Sequence, residues 1–455
     1  MTRVFVLWDD SHLWGLLVLR ALRALGVPHG ILRANQIAEG ALSGKPRAFG
    51  PAQGGSAPSG DGGSGLSGDG TGASSPLHSL LIVPGGWARG RALRLGEAGR
   101  AAIRDFVAVG GSYLGFCGGA GLALTSPRPG ESLGICPWGR MGFAGRLQHF
   151  LSGDVRLALA PQSGGLNPPG GGEALAQVWW PAQFAPSKDE NDGVEVLARY
   201  YGLGPDFWVA DLALSRIPEE ALSDWENLYG LQVRPHFLSG RPAVISGRFG
   251  AGRYLLSYPH LETPDSPQAN AWLAHILAGL SGADCAQTRV PPWNVGAEAP
   301  RWADAVLLEA KAALREVIAL GQEHLLLFWR TPWLIGWRRG IPGPGINSLY
   351  ALVCEALASP PPAAGSPAEA FWLAHAEEFR RLAALFCKGL SGLLLAERLD
   401  MTVRQTPGVD GADDVFSKNL RDMRLALFGP PPSSGGVGGQ LLGMLEELLA
   451  GMWVG

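Results

Sequence analysis

Cysteine is scarce in this 455-residue sequence. Its five copies (Cys117, Cys136, Cys285, Cys354 and Cys387) are scattered, with no CxxC pair among them. Such spacing indicates neither a disulfide framework nor a zinc site. Long hydrophobic runs are also missing. The nearest, Leu325 to Trp337, is broken by Arg330 and Pro332, whereas a helix needs roughly 20 apolar residues to span a bilayer. The opening segment, Met1 to Asp10, carries too short an apolar run for a secretory signal and ends in two acids. Charge is low and balanced, with 37 Lys and Arg against 40 Asp and Glu. That argues against a broad electrostatic surface for nucleic acid or anionic membrane. The expectation is therefore a reducing, cytoplasmic setting, with no metal, no cofactor, no nucleic acid and no membrane partner.

Glycine and proline are abundant instead, at 66 and 35 residues, and they punctuate the chain. The length suits two or three domains. Val4 to Leu7 is a short β-prone run, and His12 to Leu25 follows with leucines at helical spacing up to Gly26. This reads as strand, polar turn and helix, with Asp10 or Ser11 as N-cap. Residues 45–76 are almost wholly Gly, Ser, Pro and Asp. They cannot bury enough surface to offset their ordering entropy and read as a disordered insertion. Order resumes with the apolar strand Leu80 to Val83, a helix over Glu97 to Val109 and the strand Ser112 to Phe116. Strands alternating with helices predict a doubly wound, mostly parallel sheet. Short β-like pieces fill the stretch to Ala243. A hairpin (Ala243 to Ser246, Gly252 to Ser257) and a helix from Ser266 to Leu280 then close the domain at residue 282. After a linker at 283–300, residues 301–455 are helical in pattern and read as a separate region, available to dock a protein partner.

Three segments carry chemistry. Gly115-Phe116-Cys117-Gly118-Gly119 places a cysteine at a strand-to-helix junction, where small neighbours permit a sharp turn and close substrate approach. Free N–H groups at the helix start favour thiolate and can stabilise an oxyanion. Val83-Pro84-Gly85-Gly86 ends a strand in two glycines, so the N–H of Gly85 or Gly86, with that of Gly118, can form an oxyanion hole. Further on, a strand delivers His260, and Glu262 two residues later can fix its tautomer and orientation.

These segments, in this order, resemble the class I glutamine amidotransferase superfamily, in which Cys, His and Glu form a triad ending in H-x-E. More narrowly, the chain resembles the amino-terminal domain of biotin–protein ligases and its stand-alone relatives. The resemblance lies in VPGG (Val83 to Gly86), GGSYLGFCGGA (Gly110 to Ala120), LGICPWG (Leu133 to Gly139), VLARYYGLGP (Val196 to Pro205) and GAGRYLLSYPHLE (Gly250 to Glu262). It covers roughly residues 1–280 and implies a flavodoxin-like sheet with Cys117 as nucleophile, His260 as base and Glu262 as orienter. Gly85, Gly86 and Gly118 fall at the oxyanion positions. The ligase half has no counterpart: neither a GRGRxGR-type loop nor a KWPN-type segment occurs, so biotin ligation is not expected.

The expected activity is cysteine-dependent amidohydrolysis or amide transfer on a small-molecule amide or peptide-like substrate. The alternative is a non-catalytic module that binds a small metabolite. Tyr200, Tyr201 and Gly202 match the family's tyrosine–glycine loop and are candidates to line the pocket. Asp10 is another, although a solvated helix cap is the plainer role. A cysteine peptidase is disfavoured, because residue 118 is Gly where that branch often has His. Trp329, Trp333, Trp337, Arg338 and Arg339 read as local packing with a basic edge rather than a membrane-facing cluster.

Overall fold

The computed structural model describes residues 3–43, 79–128, 130–141, 151–161, 165–168, 171–189, 191–230, 233–234, 238–338, 340–405, 413–431 and 434–453. The insertion expected at 45–76 and Arg339 lie outside them. Strand β1 (Arg3–Leu7), helix α1 (His12–Ala24), β2 (His29–Leu32) and the short α2 (Ala34–Ala38) open the chain. Then come β3 (Ser79–Val83), α3 (Ala88–Ala108), β4 (Ser112–Phe116) and α4 (Gly118–Ala123). Helix α3 starts nine residues before the expected Glu97, and non-helical Gly96 kinks it.

The middle section builds longer strands than its sequence suggests: β5 (Gly139–Met141), β6 (Leu151–Leu159), β7 (Gly172–Trp179), β8 (Gln183–Ala185) and the 15-residue β9 (Glu195–Val209). The two-residue β10 (Leu212–Ala213) and α5 (Glu219–Tyr229) lead to the hairpin β11 (Pro242–Phe249) and β12 (Gly252–Ser257), then to α6 (Pro267–Ser281).

The central sheet runs β2-β1-β3-β4-β12-β11-β9-β6-β7. From β2 to β12 every pairing is parallel, and from β12 to β7 every pairing is antiparallel. The parallel block has the flavodoxin-like order and is covered on both faces, as period-2 alternation requires. Leu80 and Ile82 of β3 enter one core cluster, while Leu81 and Val83 enter the other with Ile103 and Phe106 of α3. Because these strands are parallel, the residues following β1, β3, β4 and β12 all emerge at one edge of the sheet. That geometry assembles the site.

Beyond α6, residues 283–300 form no regular element, yet Val290, Trp293 and Val295 are buried. Helix α7 (Ala305–Glu323) and a hairpin of β13 (Leu327–Thr331) and β14 (Leu334–Trp337) follow. Four more helices complete the chain: α8 (Gly343–Ala358), α9 (Pro367–Val403), α10 (Asp413–Phe428) and α11 (Gly436–Trp453). The secondary structure does change near residue 282, but the core does not stop there. One hydrophobic cluster joins Leu16 and Leu17 of α1, Trp272 of α6, Leu349 of α8 and Leu445 of α11. Arg20 and Arg23 of α1 both reach the buried carboxylate of Glu355 on α8, at 3.2 and 2.7 Å. Among the described residues no helix is long and apolar enough to cross a membrane.

Candidate functional site

The elbow is a conformational feature before it is a chemical one. Cys117 has φ 47° and ψ −105°, a positive φ that costs a non-glycine residue about 1–3 kcal/mol. The turn persists because its surroundings over-determine it. The Cys117 N–H donates to the Ser257 carbonyl at 2.7 Å, extending the β4–β12 ladder by one bond. The Tyr113 hydroxyl holds the Gly119 carbonyl at 2.7 Å. A Cβ on Gly118 would lie 1.8 Å from the Gly86 oxygen, and one on Gly119 2.0 Å from the Val83 oxygen. Only glycine allows the start of α4 to press so closely on the turn after β3.

His260 and Glu262 arrive on the loop after β12, and both are fully buried. The His260 Nδ1 contacts Glu262 Oε1 at 2.7 Å. That loop is pinned from several sides. The Ser257 hydroxyl donates to the Pro259 carbonyl, and Thr263 to the His260 carbonyl. Asn270 of α6 donates to the carbonyls of Leu261 and Thr263, both at 2.9 Å. The His260 N–H donates to the Gln177 carbonyl of β7 at 2.7 Å. Edge strand β7 therefore curls back over the elbow, and its Trp179 carbonyl accepts from Cys117 Sγ at 3.4 Å.

Aromatic rings surround the imidazole. Trp14 stacks on His260 with centroids 4.6 Å apart, Trp179 leans on Trp14 at 5.5 Å, and Trp337 of β14 stacks on Trp179 at 6.2 Å. Gly85 belongs to the same shell, because a Cβ there would meet His260 Cε1 at 2.7 Å. Burial alone would depress the His260 pKa. The Glu262 carboxylate, and after it the Cys117 thiol, outweigh that and push it up to about 10. The remaining thiols are pushed upward chiefly by burial, Cys136, Cys354 and Cys387 to about 11 and Cys285 in the same direction. Five buried polar atoms around the elbow have no hydrogen-bond partner among the described residues: His260 Nε2, Glu262 Oε2, Trp179 Nε1 and the hydroxyls of Tyr200 and Tyr258. Burial raises both tyrosines, with the nearby Cys117 a further cause in each.

The other residues singled out from the sequence are placed as follows. Gly86 (φ 130°) follows Gly85 in the turn after β3, against the Asp10 carbonyl. Asp10 lies at the same sheet edge, but its carboxylate pairs with Arg94 at 3.0 Å. Ser11 is the N-cap of α1 without a side-chain cap bond. Capping passes instead to Glu446 of α11, whose carboxylate accepts from the backbone N–H of Asp10, Ser11 and His12 at 3.3, 3.1 and 3.0 Å. Tyr201 and Gly202, expected on a pocket loop, lie within β9. Alternation along that strand leaves Tyr201 57% exposed and buries its neighbour Tyr200. Among the described residues no cluster of His, Cys, Asp and Glu could hold a metal.

Arg91 was not legible as a site residue. Fully buried on α3, it donates to the carbonyls of Pro84 and Gly85 at 2.8 and 2.9 Å, and also to Asp9, Asp10 and the Ser11 hydroxyl. A planar trans peptide points its N–H opposite its C=O. Holding the Pro84 and Gly85 carbonyls therefore also fixes the N–H directions of Gly85 and Gly86. Arg91→Met strands these acceptors and is expected to cost about 2–3 kcal/mol, read as a lower urea midpoint. An unchanged midpoint would contradict the bracing role.

The chain thus combines a flavodoxin-type sheet with a strained cysteine turn and a buried His–Glu pair at its carboxyl edge. Residues 75–126 match the family described as biotin-protein ligase, N terminal. The match spans VPGG and FCGGA and stops short of His260 and Glu262, and the resemblance drawn from the sequence holds over that part of the chain. No curated protein matches. Among solved structures the chain is similar to PurLQS from Thermotoga maritima, at 13% identity and TM-score 0.34, over 62% of this chain and 98% of that one. It is also similar to a putative GMP synthase component from Thermoplasma acidophilum (13%, TM-score 0.32, 63% and 94%). A putative ThuA-like protein from Bacteroides uniformis gives 13%, TM-score 0.33, 61% and 88%.

Proposed function

We propose that the chain is a cysteine-dependent amidohydrolase or amidotransferase acting on a small amide, with Cys117 as nucleophile, His260 as acid–base and Glu262 as its orienter. The observation that carries this reading is the buried His260–Glu262 contact at 2.7 Å, with Cys117 the other group that raises the pKa of the same ring. A ring held at one nitrogen by a carboxylate and coupled to a thiol suits proton transfer. The Cys117 thiolate adds to the amide carbonyl, whose oxygen takes the negative charge beside the N–H groups of Gly85, Gly86 and Gly118. The imidazolium then protonates the leaving nitrogen as the C–N bond breaks, leaving a thioester and neutral His260. Water, or an acceptor amine, adds to the thioester and gives its proton back to the ring; the C–S bond then breaks, releasing the acid or new amide and restoring the Cys117 thiolate. The raised His260 pKa supports the protonated ring near neutrality.

The test is mass spectrometry of the intact chain after brief exposure to a chloroketone analogue of a primary amide. Labelling is expected at Cys117, which sits at the start of α4 beside the His260 loop, while burial pushes the pKa of each of the other four thiols upward. An unmodified Cys117 alongside a labelled Cys285 would sink the proposal and favour the non-catalytic, metabolite-binding reading.

A further inference from the structure

A cavity opens in the carboxy-terminal region, with none of the residues around Cys117 in its lining. It measures about 530 Å³ and lies between the 294–297 loop, α7, β13 and the middle of α8, within the size range of small-ligand pockets. Its aromatic wall is Trp329, 39% exposed, with the ring of Tyr350 centred 6.3 Å away. Its apolar floor includes Ile318 and Pro332, while Arg315 and Gln322 line its polar side. Among the described residues no carboxylate lines it. Arg315 makes no ion pair or hydrogen bond among the described residues, and Lys311, one turn earlier on α7, holds the Gly296 carbonyl at 3.0 Å.

The cavity walls are well braced. Val295 N–H donates to the Pro332 carbonyl at 3.1 Å, tying the loop to the hairpin turn. A Cβ on Gly296 would lie 2.4 Å from the Tyr350 hydroxyl, so the loop is seated directly on that ring. Adjacent residues on a strand face opposite ways. Trp329 therefore lines the cavity, while Arg330 turns to the other side and lies over Trp179 and Trp208. An exposed indole beside an unpaired guanidinium is a pairing suited to a flat, negatively charged molecule: the ring stacks, and the carboxylate meets the planar fork.

We propose that this cavity is a binding site for a small planar aromatic carboxylate, its ring against Trp329 and its carboxylate on Arg315. The site is separate from Cys117 and does not rest on the proposed hydrolase chemistry. The test is titration calorimetry on the full chain with 1-naphthoate and its neutral counterpart 1-naphthamide. Binding of 1-naphthoate is expected, weakened about five- to tenfold by Arg315→Gln and more by Trp329→Leu. Arg315 is exposed, so its substitution should not disturb folding. Affinity for 1-naphthamide should be nearly indifferent to Arg315→Gln, and Cys117→Ser should leave 1-naphthoate binding intact. Absence of 1-naphthoate binding, equal affinity in both cavity variants, or loss of binding in Cys117→Ser would each overturn the assignment.

Discussion

Glu262→Gln is expected to slow acylation of Cys117 by an activated anilide about a thousand- to ten-thousand-fold, measured as single-turnover amine release. The magnitude is that of replacing the orienting carboxylate in a Ser–His–Asp triad by its amide. The reasoning is geometric and electrostatic together. Glu262 accepts from His260 Nδ1 at 2.7 Å inside a fully buried pocket. An amide there can present N–H instead, reversing the tautomer, and it removes the charge that stabilises the imidazolium.

The pH dependence supplies an independent readout. Glu262 is the leading influence that lifts His260 against burial, to about 10. A raised histidine pKa contributes stability that is complete below the unfolded value of 6.5 and fades as pH rises through about 10. The alkaline limb of the acylation rate should therefore lie near 10 in the parent and fall toward or below 6.5 in Glu262→Gln. A variant acylated at close to the parental rate, with its alkaline limb unmoved, would leave the orienter role without support.

The second large effect concerns stability. Glu446→Ala is expected to lower unfolding free energy by about 3–5 kcal/mol, as when one member of a buried, hydrogen-bonded charge pair is removed. Glu446 is 2% exposed. Besides its three backbone N–H donors, its carboxylate makes a 2.9 Å ion-pair contact with His12 Nδ1. Its carbonyl also accepts from Trp8 Nε1 at 2.9 Å, which fixes α11 beside the end of β1.

Burial alone would raise Glu446, yet His12 and the backbone bonds hold it below its ordinary 4.5. Burial would likewise lower His12, yet Glu446 holds it above 6.5. The carboxylate's contribution is present above 4.5 and lost as pH falls. The histidine's is present below 6.5 and lost as pH rises. The gap between parent and variant in denaturation midpoint should therefore be widest between about pH 4.5 and 6.5. A gap that is small, or flat across pH, would mean that Glu446 is not the cap of α1 that its contacts indicate.

Much of the parallel block was legible because its signals are local. The apolar runs at Leu80 to Val83 and Ser112 to Phe116, the glycines that follow them and the H-x-E segment each carry their meaning within a few residues. The antiparallel half was harder to read. Strands such as β9 pair with partners far away in sequence, and Tyr201, in a stretch that reads as a loop, is turned outward by alternation along β9. Arg91 and Trp14 lie on helices and give no local sign that they reach the turn after β3 or the His260 ring.

By itself the sequence determined the order of strand, elbow and His–Glu pair, because backbone period and turn chemistry are written in neighbouring residues. It also determined that residues 301–455 are rich in helix. Only the tertiary structure decided that those helices share a core with α1 and α6. Only it decided that Glu446, more than 400 residues downstream, would cap α1 in place of Ser11, and that β7 would curl back to bring Trp179 against Cys117. The reason is physical: desolvation, stacking and the pairing of buried charges depend on which surfaces meet in space, and separation along the chain does not encode that.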